Sequence, residues 1–146
     1  MGSYVRGNLL VDEAVVYETG LHPIIYLSPA VMIFSGIALG FAVNESIGAV
    51  VLGLGIFSLG GAWLRQWASE FAVTTRRVIV KIGFISRRTI EINLSKVESV
   101  EIAQGIVARL LDYGTILVIG TGGTHEPFAL INDPLAFRRA VQSQQS

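Results

Sequence analysis

Charge is absent from two long stretches of this chain, and that constrains it more than any other feature. No Asp, Glu, Lys or Arg occurs over residues 19–44, a run of 26. After the single charge at Glu45, none occurs over residues 46–64, another 19. A helix that crosses a bilayer needs about 20 mainly apolar residues, and residues 24–43 and 47–64 meet that need. A helix on the surface of a soluble protein carries a polar face, and neither stretch has one. The region before the first stretch is acidic and too long for the basic start of a signal peptide, and a second stretch follows at once. Residues 21–67 are therefore expected to form a transmembrane helical hairpin.

The link Asn44-Glu45-Ser46 is so short that the two helices must run antiparallel, with both chain ends on one side of the membrane. Lys and Arg set the orientation. The link has none, whereas Arg65, Arg76, Arg77, Lys81, Arg87 and Arg88 follow the second stretch closely. Both termini are thus expected in the cytoplasm. Tyr26, Trp63 and Trp67, with Arg65, fall at that shared interface, where amphipathic rings prefer to sit. Pro29 is a candidate kink in the first helix. Small residues let helices approach closely in lipid. Gly36, Gly40 and Gly53 are the candidates here, within a run that also holds Gly48, Gly55, Gly60 and Gly61, either packing the hairpin alone or also joining two copies of the chain.

Composition narrows the function classes. Apolar residues make up 51% and charged residues 15%, against roughly 25% charged in soluble domains. The absence of cysteine removes disulfides, thiol nucleophiles and cysteine-ligated metals or clusters. The 11 basic and 11 acidic residues cancel, so net charge points to no partner. The total of 146 residues leaves room for one ordinary domain.

After residue 70 the apolar period changes to two. Phe71 and Val73 alternate with polar or small neighbours, as do Val78, Val80 and Ile82, then Ile90, Ile92 and Leu94, then Val100 and Ile102. This is the pattern of half-buried strands. Turn residues fall between them at Thr75-Arg76, Gly83 and Ser95-Lys96. Ile106, Val107, Leu110 and Leu111 recur at three and four, which predicts a helical turn ending near Gly114. Residues 115–119 and 128–131 read as strands around the turn Thr121-Gly122-Gly123-Thr124. Asp133-Pro134 reads as an N-cap with proline at the first helical position, opening an amphipathic helix with Leu135, Phe137 and Val141. The fold class is α+β, with about six or seven short antiparallel strands and one C-terminal helix, built as a small barrel or bent sheet. Ala14-Val15-Val16-Tyr17-Glu18-Thr19 is expected to add a strand to that sheet. The domains are then residues 1–20, the hairpin at 21–67, and residues 68–146.

With these residues in place, the chain resembles the bacterial membrane-anchored pleckstrin-homology (PH) domain proteins, the YdbS-like group. The resemblance begins at Glu13-Ala14-Val15-Val16-Tyr17 before the hairpin. It continues through Phe71-Ala72-Val73-Thr74-Thr75-Arg76-Arg77-Val78-Ile79, then Gly83 and Arg87 ahead of Ile90. It runs on through Ile92-Asn93-Leu94-Ser95-Lys96-Val97-Glu98-Ser99-Val100 and Asp112-Tyr113-Gly114-Thr115, and closes at Asn132-Asp133-Pro134. Thr75 stands where the family commonly has Asn. The resemblance implies a PH-like domain at the cytoplasmic face of the bacterial inner membrane. It implies no particular ligand, since a fold of this kind hosts lipid, phosphopeptide and protein binding alike.

Enzyme constellations are scarce. His22 and His125 have no second histidine at metal spacing. Gly120-Thr121-Gly122-Gly123-Thr124 lies between strands and opens no helix, so it lacks the geometry that cradles phosphate. Met1-Gly2 begins an acylation-like motif, but Arg6 stands where Ser or Thr is required. The only polar residues deep in the hairpin are Ser28, Ser35 and Ser58, which make no ion path. No cofactor is expected. Residues 65–88 hold six basic residues against Glu70, while residues 1–64 carry Arg6 against Asp12, Glu13, Glu18 and Glu45. Such a basic cluster either sets topology alone or lines a face for anionic headgroups, with Arg76, Arg77, Lys81, Arg87 and Arg88 as candidate lipid- or partner-binding residues. The spacing Arg87-Arg88-Thr89 lacks the basic pattern of eukaryotic phosphoinositide-binding PH domains. No stacking aromatics are interleaved, so nucleic acid is not an expected partner. The expected function is a non-enzymatic inner-membrane protein whose PH-like domain binds another protein or a second copy. Headgroup binding by the basic edge is the alternative.

Overall fold

Two apolar helices interrupt a sheet. A computed structural model describes residues 3–83 and 87–146. The Met1-Gly2 pair of the acylation-like motif lies outside the described residues. The elements are α1 (Ser3–Gly7), β1 (Val15–Thr19), a 3-10 turn (Pro23–Tyr26), α2 (Leu27–Ala42), α3 (Glu45–Ala68), β2 (Glu70–Thr74), β3 (Arg77–Ile82) and β4 (Arg88–Asn93). A second 3-10 turn (Leu94–Lys96) leads to β5 (Val97–Ala103), α4 (Ile106–Leu110), β6 (Tyr113–Gly120), β7 (Thr124–Asn132) and α5 (Pro134–Gln145). The chain divides into two compact units, the helical pair over residues 23–67 and a sheet-bearing unit formed by residues 1–22 and 68–146.

The helical unit is an antiparallel pair. Pro23–Ala42 and Glu45–Ala68 are both long and apolar enough to cross a membrane. The second helix starts two residues before, and ends four after, the stretch read from the sequence. Asn44 explains its start, because its Oδ1 accepts the Ser46 N–H at 2.9 Å and caps α3. The link thus shrinks to Val43-Asn44. Pro29 lies in the first turn of α2, where its missing N–H has no intrahelical partner to lose. At the other end, the Tyr26 hydroxyl donates to Gln66 Oε1 at 2.5 Å, tying the start of α2 to the end of α3.

Glycines set how closely these helices approach. A Cβ on Gly36 would fall 2.5 Å from the Leu52 amide nitrogen, and one on Gly48 would overlap the Gly40 backbone. Gly55 faces Ile33 in the same way. Gly53 does not belong to this contact, since a Cβ there meets nothing within 4 Å. Helical periodicity is the reason: Gly48, Leu52 and Gly55 recur at four and three along α3, and Gly53 falls off that row.

The sheet-bearing unit holds two antiparallel sheets, ordered β1-β2-β3-β4 and β5-β6-β7. In the first, Thr19 of β1 lies opposite Phe71 of β2, and Val80 of β3 opposite Ile90 of β4. The sheets join along β1. Beyond its last residue, Gly20 accepts the Asn132 N–H at 3.1 Å and His22 donates to the Leu130 carbonyl at 2.7 Å. At the opposite corner the turn Leu94–Lys96 leads from β4 to β5, and Gln145 Nε2 near the chain end donates to the Leu94 and Val97 carbonyls. Between the sheets Phe71, Val73, Val78, Val80, Ile116, Val118, Phe128 and Ile131 are buried with Phe137 and Val141 of α5. Phe71 meets Phe128 edge-on at 5.9 Å. Asp133 caps α5 through Ala136 N–H at 3.0 Å, and Pro134 takes the first turn.

These contacts separate two glycine substitutions. Gly48→Leu is expected to destabilise the helical pair by about 1–3 kcal/mol, the usual cost of overpacking, while Gly53→Leu is expected to change little. Thermal unfolding of the full chain in detergent, followed by helical circular dichroism, compares them. Equal effects would show that the Gly40–Gly48 approach does not hold the pair together.

Candidate functional site

The alternation in β2 and β3 decides where the basic side chains go. Phe71, Val73, Val78 and Val80 turn to the core. Glu70, Ala72 and Thr74 on β2, and Arg77, Ile79 and Lys81 on β3, turn to the other face. That face is covered as well. Val5 of α1 is 0% exposed and packs on Ala72 and Ile79, with Leu9 and Val15 beside it. The N-terminal residues therefore form a strap over the first sheet, and every residue of β2 is buried.

Two charge clusters fasten the strap. In the first, Glu13 has a side chain with no exposure and lies 2.9 Å from Arg77 Nε. Its Oε2 accepts the Leu10 N–H at 2.8 Å, and its Oε1 accepts the Thr74 hydroxyl at 2.6 Å. Arg77 also donates to the Asn8 carbonyl at 2.7 Å and pairs with Glu91 on β4. Burial by itself pushes the Glu13 carboxyl up. The Arg77 guanidinium, the Leu10 N–H and the Thr74 hydroxyl outweigh it and hold the pKa at about 2 against an ordinary 4.5. Hydrogen bonding to Glu13 raises Arg77 further, so it stays charged. In the second cluster, Glu70 Oε2 accepts the Tyr4 and Val5 N–H groups at 3.2 and 3.3 Å. Lys81 lies 3.7 Å from Glu70 and 4.9 Å from the centre of the Tyr4 ring.

The five cations singled out from the sequence thus do not form one basic edge. Arg77 and Lys81 hold the strap. Arg88 spans from β4 to β7, placing Nη2 3.0 Å from both carboxylate oxygens of Glu126, with its side chain 67% exposed. Arg76 and Arg87 are exposed, but they sit at opposite ends of β3, about 17 Å apart by strand rise. The Thr75-Arg76 turn needs no left-handed residue. The Thr74 hydroxyl oxygen accepts the Arg76 and Arg77 N–H groups at 3.2 and 3.0 Å and closes the turn. Tyr26, Trp63, Arg65 and Trp67 all lie in the helical unit, with Trp63 and Trp67 exposed.

A groove of about 560 Å³ opens beside this turn. Thr75, Arg76, Asn93, Ser95 and Gln144 line it, with Leu94 at its floor. The sequence marked Arg76 but gave no sign that the end of α5 would stand opposite it. The signal that could have revealed the strap is Ile79, an apolar residue between Arg77 and Lys81 on what alternation makes the outer face.

Glu13 generates a pH prediction. A carboxylate whose pKa is lower folded than unfolded contributes fully above its unfolded value, and the contribution is lost as pH falls through the folded value. Stability is expected to decline as pH drops from about 4.5 towards 2, and Glu13→Gln to flatten that decline. At neutral pH, Glu13→Ala is expected to cost about 3 kcal/mol, because it removes the buried partner of a largely buried guanidinium and takes the carboxylate acceptor away from the Leu10 N–H and the Thr74 hydroxyl. Glu91→Ala is expected to cost under about 1 kcal/mol, since its carboxylate is partly exposed. Pulse proteolysis of the full chain in urea measures all three, and equal losses for Glu13→Ala and Glu91→Ala would contradict the assignment.

Comparison with known proteins agrees with this architecture. The family model described as Bacterial PH domain matches residues 23–145, the helical pair included. No curated protein and no solved structure matches the chain. The strap and β1 lie ahead of the matched residues. PH domains are in general non-enzymatic modules that bind proteins or lipids. By this match and by its two sheets closed with a C-terminal helix, the chain belongs to the bacterial PH-domain family.

Proposed function

We propose that this chain is a membrane-anchored protein-interaction module of the bacterial inner membrane. The helical pair crosses the bilayer, both termini lie in the cytoplasm, and the PH-like domain docks a polypeptide in the groove beside α5. The observation that carries this reading is the internal pairing of Arg77, Lys81 and Arg88. Three of the five cations that would serve an anionic headgroup are engaged within the fold. The groove, by contrast, offers polar side chains from Thr75, Asn93, Ser95 and Gln144, suited to a peptide backbone, and one exposed cation at Arg76. An extended segment with an acidic side chain fits that lining, whether it comes from another protein or from a second copy.

Photo-crosslinking in intact membranes tests the docking. A benzophenone side chain at Arg76 or Ser95 is expected to give a defined polypeptide adduct, and one at Arg87, exposed at the opposite end of β3, is not. Adducts to lipid alone, or the same adducts at all three positions, would overturn the reading. The absence of cysteine makes topology accessible in the same cells. Ser46→Cys is expected to react with an impermeant maleimide from outside, and Ser143→Cys only after permeabilisation. The reverse pattern would refute the orientation.

A further inference from the structure

The short helix α4 presents an uncovered aliphatic surface. Ile106 is 84% exposed, Leu110 80% and Val107 60%, and Leu111 directly after them is also exposed. Ala108 alone of the helix is buried. No acid lies between Glu101 and Asp112, and Arg109 is the single charge. A cluster of large aliphatic side chains in water at one short turn marks a contact with something apolar.

Its place in the sheet-bearing unit identifies that contact. Tyr113, three residues after Leu110, carries the His22 ring at 5.1 Å between centres. The His22 N–H donates to the Leu130 carbonyl, and Leu130 lines one cavity with Ile106, Val107 and Tyr113. His22 is the last residue before Pro23, where the first apolar segment begins. The aliphatic cluster therefore lies at the end of this unit from which the chain enters the apolar helices. The β6–β7 turn at Thr121 lies at the other end of β6, about 24 Å away by strand rise.

We infer that α4 is a membrane-dipping tip, with Ile106, Val107, Leu110 and Leu111 seated in the headgroup–acyl boundary of the cytoplasmic leaflet. The inference rests on the reading of the helical pair as membrane-spanning. Helices that lie in this boundary bury their apolar face by about 5–10 Å, within reach of one helical turn. Arg109 extends its stem through that layer and leaves the guanidinium among phosphates. An attachment at α4, in addition to the two chain connections, restricts the rotation of the domain about its tether.

Fluorophore depth measurement tests this on the full chain reconstituted in phosphatidylcholine–phosphatidylglycerol vesicles. Single variants Val107→Cys, Leu110→Cys, Thr121→Cys and Ser58→Cys carry an environment-sensitive nitrobenzoxadiazole label. A lipid with its nitroxide near the headgroup is expected to quench Val107→Cys and Leu110→Cys by about twofold and to leave Thr121→Cys unchanged. A lipid with its nitroxide deep in the acyl chain is expected to quench Ser58→Cys, in the middle of α3. Quenching at Ser58→Cys without quenching at α4 overturns this inference and leaves the anchor reading intact. Absence of quenching at Ser58→Cys overturns the anchor reading itself. A blue-shifted but unquenched label at Leu110→Cys places protein rather than lipid over α4 and also overturns the inference. Exposed positions at 107, 110 and 121 allow labelling without disturbing the core.

Discussion

The buried pairing of Glu13 with Arg77 is the interaction on which the sheet-bearing unit turns. β2 and β3 carry apolar side chains on both faces, and a sheet buried on both faces needs a cover on each. The core supplies one through α5 and the second sheet. The strap supplies the other, and it is too short to hold itself in place: α1 has 5 residues, well below what an isolated helix needs. Val5 inserts between Ala72 and Ile79 because charge clusters on both sides of it hold the backbone down. A desolvated ion pair adds little net stability over an apolar substitute, but removing one partner is costly. That asymmetry makes the strap a specified position rather than a loose covering.

The same pairing redistributes function across the surface. Counting charge along the chain gives residues 65–88 an excess of five positive charges, which invites a reading as a lipid-facing edge. In space Lys81 pairs with Glu70 inside that window, and the other partners come from outside it. Glu13 is 64 residues away from Arg77, and Glu126 is 38 away from Arg88. Once they are drawn in, the exposed cations Arg76 and Arg87 stand at opposite ends of a strand. What remains open at the Arg76 end is a groove, and what remains open at the other end of the fold is aliphatic. Each kind of surface suits a different kind of contact.

Periodicity and charge made much of the fold legible in advance. The two helices follow from the absence of charge, the strands β2 to β7 from alternation and turn residues, and α5 from Asp133-Pro134. Long-range partners were not legible. Nothing near Arg77 in sequence names Glu13, and a single valine at position 5 gives no periodic signal. Gly53 takes no part in the contact within the pair, because close approach follows the helical row of Gly48, Leu52 and Gly55. The effect of Pro29 depends on its distance from the helix start, which the boundary at Leu27 fixes.

The interruption of the sheet between β1 and β2 has a consequence for how such a chain is made. Thr19 and Phe71 are neighbours across the ladder, yet the whole helical pair is synthesised between them. During translation β1 and the strap emerge first and must wait for β2. In a chain whose helices cross the bilayer, pairing requires β1 and β2 on one side of it, which a single crossing prevents. A chain caught with one helix inserted leaves β2 without its neighbour and Glu13 without its cation. Closing the first sheet therefore depends on bringing together two strands that the whole helical pair separates along the chain.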